Sequence, residues 1–222
     1  MAIRGRINIK AMAGTISEAV AKNQKVAGLA RKRGILAVED AKQIFADKVR
    51  NHPVSMEIED GPSDDNLTNT LAGVDGNLFS FIGFNISDSP IDDLIEVLNS
   101  KIFLKGGRAG TKRFANGNVN FRFRVTIPGV KDLDKESSLA FPDGWRPGSW
   151  VDGIERGISG LPSFIYKAEG FKDSRSMVGL QAKTGYKKGG SPFIIRSEEY
   201  QPTDYMRVLL TEFAAKVIKG TF

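Results

Sequence analysis

The chain has 222 residues, of which 41% are apolar and 26% charged, a composition typical of a folded globular protein with a substantial hydrophobic core. It has no cysteine and one histidine, His52, which excludes disulfides, thiolate nucleophiles, cysteine-ligated zinc and most histidine-based catalytic sites. No apolar run approaches the roughly 20 residues that span a bilayer, and the apolar core of a secretory signal is missing. We therefore expect a protein that is made in the cytoplasm and has no membrane partner.

The formal net charge of +6 is unevenly distributed along the chain. Residues 1–34 contain eight Lys and Arg and one acid, residues 35–96 contain three bases and thirteen acids, and residues 97–131 contain eight bases and no acid. Each block alone is explained equally well as a solvated surface. Three alternating blocks favour a second interpretation, in which opposite charges attract each other between subunits or partners.

The N-terminal part predicts an arm followed by a long helix. Residues 1–14 are basic and contain two glycines, so we interpret them as an extended arm or a strand that awaits a partner. Thr15 and Glu18 form a capping-box pattern that would start a helix, which Gly28 and Gly34 weaken in its middle and which ends before Pro53. The three-and-four spacing of an amphipathic helix is kept by Leu36, Val38, Ala41, Ile44, Phe45, Lys48 and Val49.

The next segment is turn-rich and then alternates between strand and helix signals. Residues 51–76 are mostly loop, with VSMEI (54–58) as the strand candidate. The nearly continuous apolar run NLFSFIGF (77–84) predicts a strand covered on both sides. Ser89 as N-cap, Pro90 at the first helical position, and Asp92 and Asp93 in the first turn predict a helix over 90–100. Its buried stripe would be Ile91, Leu94, Ile95 and Leu98.

A basic loop or hairpin is predicted at residues 101–124, where glycine-rich sequence leads into VNFRFRVTI. There, apolar residues alternate with polar ones, which predicts one strand with its apolar face on the core: Val119, Phe121, Phe123, Val125 and Ile127. Ser149 and Asp152 resemble a capping box opening a short helix, and LPSFIYKA and VGLQAKT are predicted strands. From Thr203 the spacing predicts an amphipathic helix, with Tyr205, Val208, Leu209, Phe213, Val217 and Ile218 on its apolar face.

Together these elements predict an α+β fold, in which an antiparallel or mixed β-sheet is packed by a long N-terminal helix, a short middle helix and a C-terminal helix. Residues 1–34 would form a basic N-terminal arm and the start of the helix. Residues 35–222 would form a single α+β domain with the basic loop or hairpin at 101–124.

The sequence does not favour an enzyme. His52 lies at the predicted end of a helix, where it could interact with the last carbonyls. Asp64 and Asp65 lie in a polar loop and make a weak metal-site candidate, and the stretch GGRAGTK (106–112) fits neither the Walker pattern nor the dinucleotide fingerprint. We therefore predict no catalytic residue, no cofactor and no metal. An acid-based hydrolase, with two carboxylates facing each other across a cleft, is kept as an alternative.

Several stretches resemble virion structural proteins of tailed bacteriophages, in particular the neck and tail-completion proteins at the head–tail junction. They are NHPVSMEIEDGP after a long helix, NLFSFIGF followed by SPIDDLIEVL, PGSWVDGIERGISGLPSFIY, SRSMVGLQ, and EEYQPTDYMRVLLTEF. The order of elements is also similar: a long helix, an antiparallel sheet, and a C-terminal helix after the segment Ser191-Pro192-Phe193. The basic stretches 1–34 and 97–131 are additions that also suit a connector, a tail terminator or a baseplate part.

The resemblance implies a virion protein of the neck or tail, made in the host cytoplasm, whose copies form a ring and contact neighbouring virion proteins. From the charge blocks we assign assembly to a basic set and an acidic partner face. The basic set is Arg4, Arg6, Lys10, Arg31, Lys32, Arg33, Arg108, Lys112, Arg113, Arg122 and Arg124. The acidic partner face is Glu57, Glu59, Asp60, Asp64 and Asp65. The same bases keep non-specific nucleic-acid binding by segments 1–34 and 101–124 as an alternative.

Overall fold

The fold is α+β, which confirms the predicted class. A computed structural model of the chain describes residues 17–62, 65–70, 77–106, 110–113, 118–142, 147–156, 164–166, 180–182 and 202–219. The proposed extended arm at residues 1–14 and the Thr15 cap lie outside these ranges. Helices form most of the described part, and its strands are short and pair two by two in antiparallel fashion.

The elements follow one another in this order along the chain. A helical segment at residues 17–22 precedes α1 (Gln24–Arg50), α2 (Pro53–Glu59), α3 (Leu78–Ile82) and α4 (Pro90–Lys101). The strands β1 (Phe103–Leu104), β2 (Gly110–Arg113), β3 (Val119–Arg122) and β4 (Val125–Thr126) come next. After them come α5 (Val130–Leu133), a 3-10 turn (Ser137–Leu139), α6 (Trp150–Arg156), β5 (Phe164–Tyr166), β6 (Leu180–Ala182) and α7 (Met206–Lys219).

The long helix α1 starts at a cap that the sequence analysis missed. The side chain of Asn23 accepts hydrogen bonds from the backbone N–H groups of Lys25 and Val26, at 2.9 and 3.3 Å. The helix runs through both of its glycines and ends at Arg50, before Pro53 as predicted. Its buried residues are Val38, Ala41, Phe45 and Val49, whereas Leu36 and Ile44 of the predicted stripe are exposed.

Two predicted strands are helices. His52 caps α2 and Pro53 occupies its first turn, so the VSMEI stretch is helical. In NLFSFIGF, the Asn77 side chain accepts a hydrogen bond from Ser80 N at 3.1 Å, and Gly83 ends α3 in the left-handed region with φ of 88°. All five residues of α3 are buried. A short helix buried on every side has the same unbroken apolar pattern as a buried strand, which explains the error.

The predicted strand 119–127 is divided between two pairs. β3 pairs with β2 and β4 pairs with β1, so both pairs belong to one hairpin. Five residues separate β1 from β2, but two separate β3 from β4, and this unequal spacing interrupts the ladder. The predicted alternation is confirmed over 119–124, where Val119 and Phe121 are half-buried while Asn120 and Arg122 are exposed, but Val125 and Thr126 are both half-buried. The two later predicted strands are present as β5 and β6, which pair with each other.

One hydrophobic core joins the helices. Its fully buried large side chains include Phe81 of α3, Leu94 of α4, Trp150 of α6 and Tyr205, which precedes α7. The rings of Phe45 and Phe213 lie 4.6 Å apart and pack α7 on the C-terminal half of α1. Ser149 caps α6 by accepting from Asp152 N at 3.2 Å, as predicted. In α7 the predicted Leu209 and Phe213 are buried, whereas Val208 and Ile218 are exposed.

Candidate assembly surfaces

The predicted basic residues of α1 and of the hairpin lie at one end of the subunit. Arg31 donates a hydrogen bond from Nη1 to the carbonyl oxygen of Lys105 at 3.4 Å, which places this part of α1 beside the start of the hairpin. One turn further, Gly34 packs so closely that an added Cβ would lie 3.2 Å from Leu104 Cδ1 and 3.3 Å from Phe123 Cδ2. Arg31 therefore lies beside the hairpin, whereas Lys32, about 160° around the helix from Gly34, lies on the side of α1 that faces away from the hairpin. We call this basic end of the subunit, made of Arg31, Lys32, Arg33, Arg122 and Arg124, the basic surface.

The exposed members of this surface point away from the core. Lys32, Arg33, Arg122 and Arg124 are exposed and Arg31 is half-buried. Among the described residues, no ion pair engages Lys32 or Arg33. Lys112 and Arg113 lie in β2 of the same hairpin, but their side chains are outside the described part. Arg4, Arg6, Lys10 and Arg108 also lie outside the described residues.

The acidic residues collect at the other end of α1. Arg50, the last residue of the helix, binds both Glu59 at the end of α2 and Asp92 in the first turn of α4. The hydrogen bond from Arg50 to Asp92 raises the pKa of the guanidinium above its ordinary value. Burial acts in the opposite direction, and the negative charge of Glu59 raises the pKa further. Asp60 and Asp65 are exposed nearby in sequence, and Asp64 lies outside the described residues.

The acidic surface is larger at α4 than the sequence analysis assigned. Burial, followed by the charges of Glu96, Asp88 and Asp92, raises the pKa of the Asp93 carboxyl, because the ionised form is repelled by its neighbours. In the sequence, Asp92 and Asp93 are explained by the helix start alone. The ion pairs of Arg50 with both Asp92 and Glu59 were not visible there, since they depend on how α2 and α4 pack. We call Glu59, Asp60, Asp88, Asp92 and Asp93 the acidic surface.

Glu57 does not belong to the acidic partner face, and that assignment is wrong. Glu57 is fully buried. Its Oε2 accepts hydrogen bonds from Thr68 N at 2.8 Å and from Thr68 Oγ1 at 2.7 Å, and its Oε1 accepts from Leu78 N at 2.8 Å. Because α2 is a helix and not a strand, Glu57 and Glu59 lie on different sides of it. Glu57 therefore anchors the two ends of the segment 68–78 to α2.

A groove of about 570 Å³ lies between the end of α2 and the start of α4. Its floor is apolar, with buried Phe79 and Ile91, and Ile86 stands at its edge with 59% of its surface exposed. The carboxyl groups at the groove belong to Glu59, Asp60, Asp88 and Asp92. Arg50 pairs with Glu59 and Asp92, and Asp60 and Asp88 add further negative charge, so the groove can accept an apolar side chain that is accompanied by positive charge.

The basic and acidic surfaces lie too far apart to meet within one copy. Lys32 and Arg33 stand 17 or more residues before Arg50 on the same helix. At a rise of about 1.5 Å per residue this corresponds to about 26 Å along the axis. Because a continuous α-helix separates them, the two surfaces are held at a fixed spacing.

His52 has a structural role, as predicted, but at a different position. Its backbone N–H donates to the Val49 carbonyl oxygen, in the last turn of α1, at 3.2 Å. Its side chain acts on the next helix, because Nδ1 accepts a hydrogen bond from Val54 N at 3.3 Å and so caps α2. Burial lowers the pKa of the imidazole below its ordinary value of 6.5. Its ring contacts Tyr205, whose hydroxyl hydrogen-bonds to Ser55 Oγ at 2.6 Å.

Two further properties concern the described residues alone. No group of three or more Asp, Glu or His side chains among them is arranged to hold a metal ion. None of the helices they form is both long and apolar enough to cross a bilayer.

No family model, no curated protein and no solved structure matches this chain. The resemblance to tail-completion proteins stays a prediction based on the stretches quoted above.

Proposed function

We propose that this chain is a structural virion protein of a tailed bacteriophage, which assembles with copies of itself into a ring or interface in the neck or tail. The observation that carries the self-assembly is the placement of a basic and an acidic surface at the two ends of α1. The stretches that resemble neck and tail-completion proteins, and the similar order of elements, support the proposed location in the virion. In this account the side chains bind neighbouring subunits and catalyse no reaction.

Opposite surfaces at two ends of one subunit favour a head-to-tail contact. The basic surface of one copy meets the acidic surface of the next, and the pair then keeps one unused surface of each kind. Such a heterologous contact closes into a ring when the rotation between neighbours divides a full turn. Neck and tail rings have this symmetry, so the charge arrangement suits the proposed location.

Light scattering after size exclusion tests the self-assembly. We expect an oligomer at low salt that dissociates as salt rises, because exposed charges attract over about 10 Å at 0.1 M ionic strength and over less at higher salt. The variant Lys32→Glu/Arg33→Glu should be monomeric. Lys131→Glu, which changes a basic residue outside the basic surface, is the control and should assemble like the wild type. A wild type that stays monomeric at low salt and binds no other virion protein would contradict the proposal.

Non-specific DNA binding is the second candidate, favoured by the presence of Arg31, Lys32, Arg33, Arg122 and Arg124 at one end of the subunit. A phosphate-binding surface predicts that duplex affinity falls steeply with salt and that Arg122→Ala/Arg124→Ala weakens binding equally for all sequences. Absence of binding to duplex DNA at low salt would exclude it.

A further inference from the structure

The N-terminal half of α1 has apolar side chains that the described residues of its own subunit leave exposed. Leu29 and Leu36 are each 63% exposed, and Val38 is the first buried residue among the described residues of the helix. The two leucines are seven residues apart, so they lie on the same side of the helix two turns from each other. Lys32 and Arg33 lie between them, within about 60° of the same side. This stripe is therefore apolar at its centre and basic at its margins.

The groove between α2 and α4 has the complementary arrangement. Its floor is apolar at Phe79 and Ile91, its edge carries the exposed Ile86, and Asp88 and Asp92 supply negative charge. Exposed apolar groups in a groove and on a helix gain free energy when they cover each other, and opposite charges at their margins fix the orientation. An amphipathic helix lying in an apolar groove is a recurring mode of protein recognition.

We propose that the N-terminal half of α1 docks in the α2–α4 groove of a second copy of this chain. Leu29 and Leu36 contact Ile86 and the groove floor, while Lys32 and Arg33 face Asp88 and Asp92. The contact cannot form within one subunit, because the rigid helix holds the stripe about 20 Å or more from the groove. This inference rests on the proposed self-assembly and specifies which surfaces carry it.

Removal of the apolar contact is the first test. Leu29→Gln/Leu36→Gln keeps two good helix formers at exposed positions, so the thermal melt should stay unchanged. We expect the subunit affinity measured by analytical ultracentrifugation to fall roughly tenfold or more, since buried apolar anchors at an interface contribute at this level. Ile44→Gln, at a residue that is 43% exposed on the same helix but outside the stripe, is the matched control and should assemble like the wild type.

The second test disrupts each surface in a separate variant and then mixes the two variants, which shows whether the two surfaces bind each other. The helix variant is Lys32→Glu/Arg33→Glu. The groove variant is Ile86→Lys/Ser89→Lys, in which Ser89 gives up no cap because its side chain makes no capping hydrogen bond. Each variant alone should be monomeric. Mixed in equal amounts, they should associate again, because the intact groove of one binds the intact helix of the other.

The outcomes separate this contact from the proposed function. A mixture that stays monomeric while the wild type assembles would overturn the docking contact and leave self-assembly standing. Assembly that survives Leu29→Gln/Leu36→Gln but is lost on removal of residues 1–16 would assign the groove to the N-terminal segment and overturn the contact too. A wild type that is monomeric at low salt would overturn the docking contact, and one that also binds no other virion protein would overturn the proposed function as well.

Discussion

Replacement of Glu57 by Gln removes the negative charge from a buried anchor while keeping the shape of the side chain. The carboxyl group accepts three hydrogen bonds, two from Thr68 at 2.7 and 2.8 Å and one from Leu78 N at 2.8 Å. An amide has one accepting oxygen. If that oxygen keeps both bonds to Thr68, the NH₂ group faces the N–H of Leu78, and two donors are buried without an acceptor.

The expected cost follows from these lost bonds. A hydrogen bond to a charged group contributes about 1.5–3 kcal/mol, and a buried donor left without a partner costs about 1–3 kcal/mol. We therefore expect Glu57→Gln to lower the free energy of unfolding by about 2–3 kcal/mol. For a chain of this size the corresponding fall in Tm is about 5–10 °C. Glu57→Ala loses all three bonds and leaves a cavity, so its effect should be larger, about 4 kcal/mol.

Urea unfolding followed by circular dichroism measures this change, with the m-value checked for constancy. Glu39→Gln is the matched control, because Glu39 is an exposed residue of α1 that pairs with Lys42 at 2.9 Å. It should cost less than about 0.5 kcal/mol. If Glu57→Gln is as stable as Glu39→Gln, Glu57 does not anchor the segment 68–78 and the reasoning is wrong.

Two other changes test local features of the fold. Gly148→Ala should lower the free energy of unfolding by about 2–3 kcal/mol, since φ is 93° and the new Cβ would lie 2.8 Å from Asp134 Oδ1. Gly28→Ala, whose Cβ meets nothing within 4 Å, should raise the free energy of unfolding by about 0.5–1 kcal/mol. The opposite order of the two variants in urea unfolding would refute both predictions. His52→Asn keeps a capping side chain but removes an imidazole whose pKa is lowered in the folded state. Below about pH 6.5 the unfolded wild type binds a proton that the folded state resists, so the Tm of the wild type should fall with pH faster than that of the variant. Parallel curves of Tm against pH would contradict this.

Local signals in the sequence were enough to locate several helices. Pro90, Asp92 and Asp93 mark the start of α4, and Ser149 marks α6, because capping and dipole effects depend on residues within one turn. The strand reading of NLFSFIGF failed because a continuous apolar run has no period that separates a buried helix from a buried strand. There the decisive groups are the Asn77 cap and the left-handed Gly83, both at the edges of the run.

The sequence predicted that the protein has a basic and an acidic surface, but it did not predict all the residues that form them. The charge blocks indicated that bases and acids are kept apart, and the structure joins the bases of α1 to Arg122 and Arg124 through the packing of Gly34 against the hairpin. Contacts of this kind connect residues about 90 positions apart, so no local pattern reveals them. Glu57 was misassigned for the same reason, since its partners Thr68 and Leu78 are distant in sequence.

The location of this chain in an electron-microscopy map of an intact phage particle tests the central claim most directly. The account predicts a ring of identical copies in the neck or tail, in which Lys32 and Arg33 of each copy lie against Asp88 and Asp92 of the next. Absence of the chain from the particle, or copies whose basic and acidic surfaces do not meet, would contradict it.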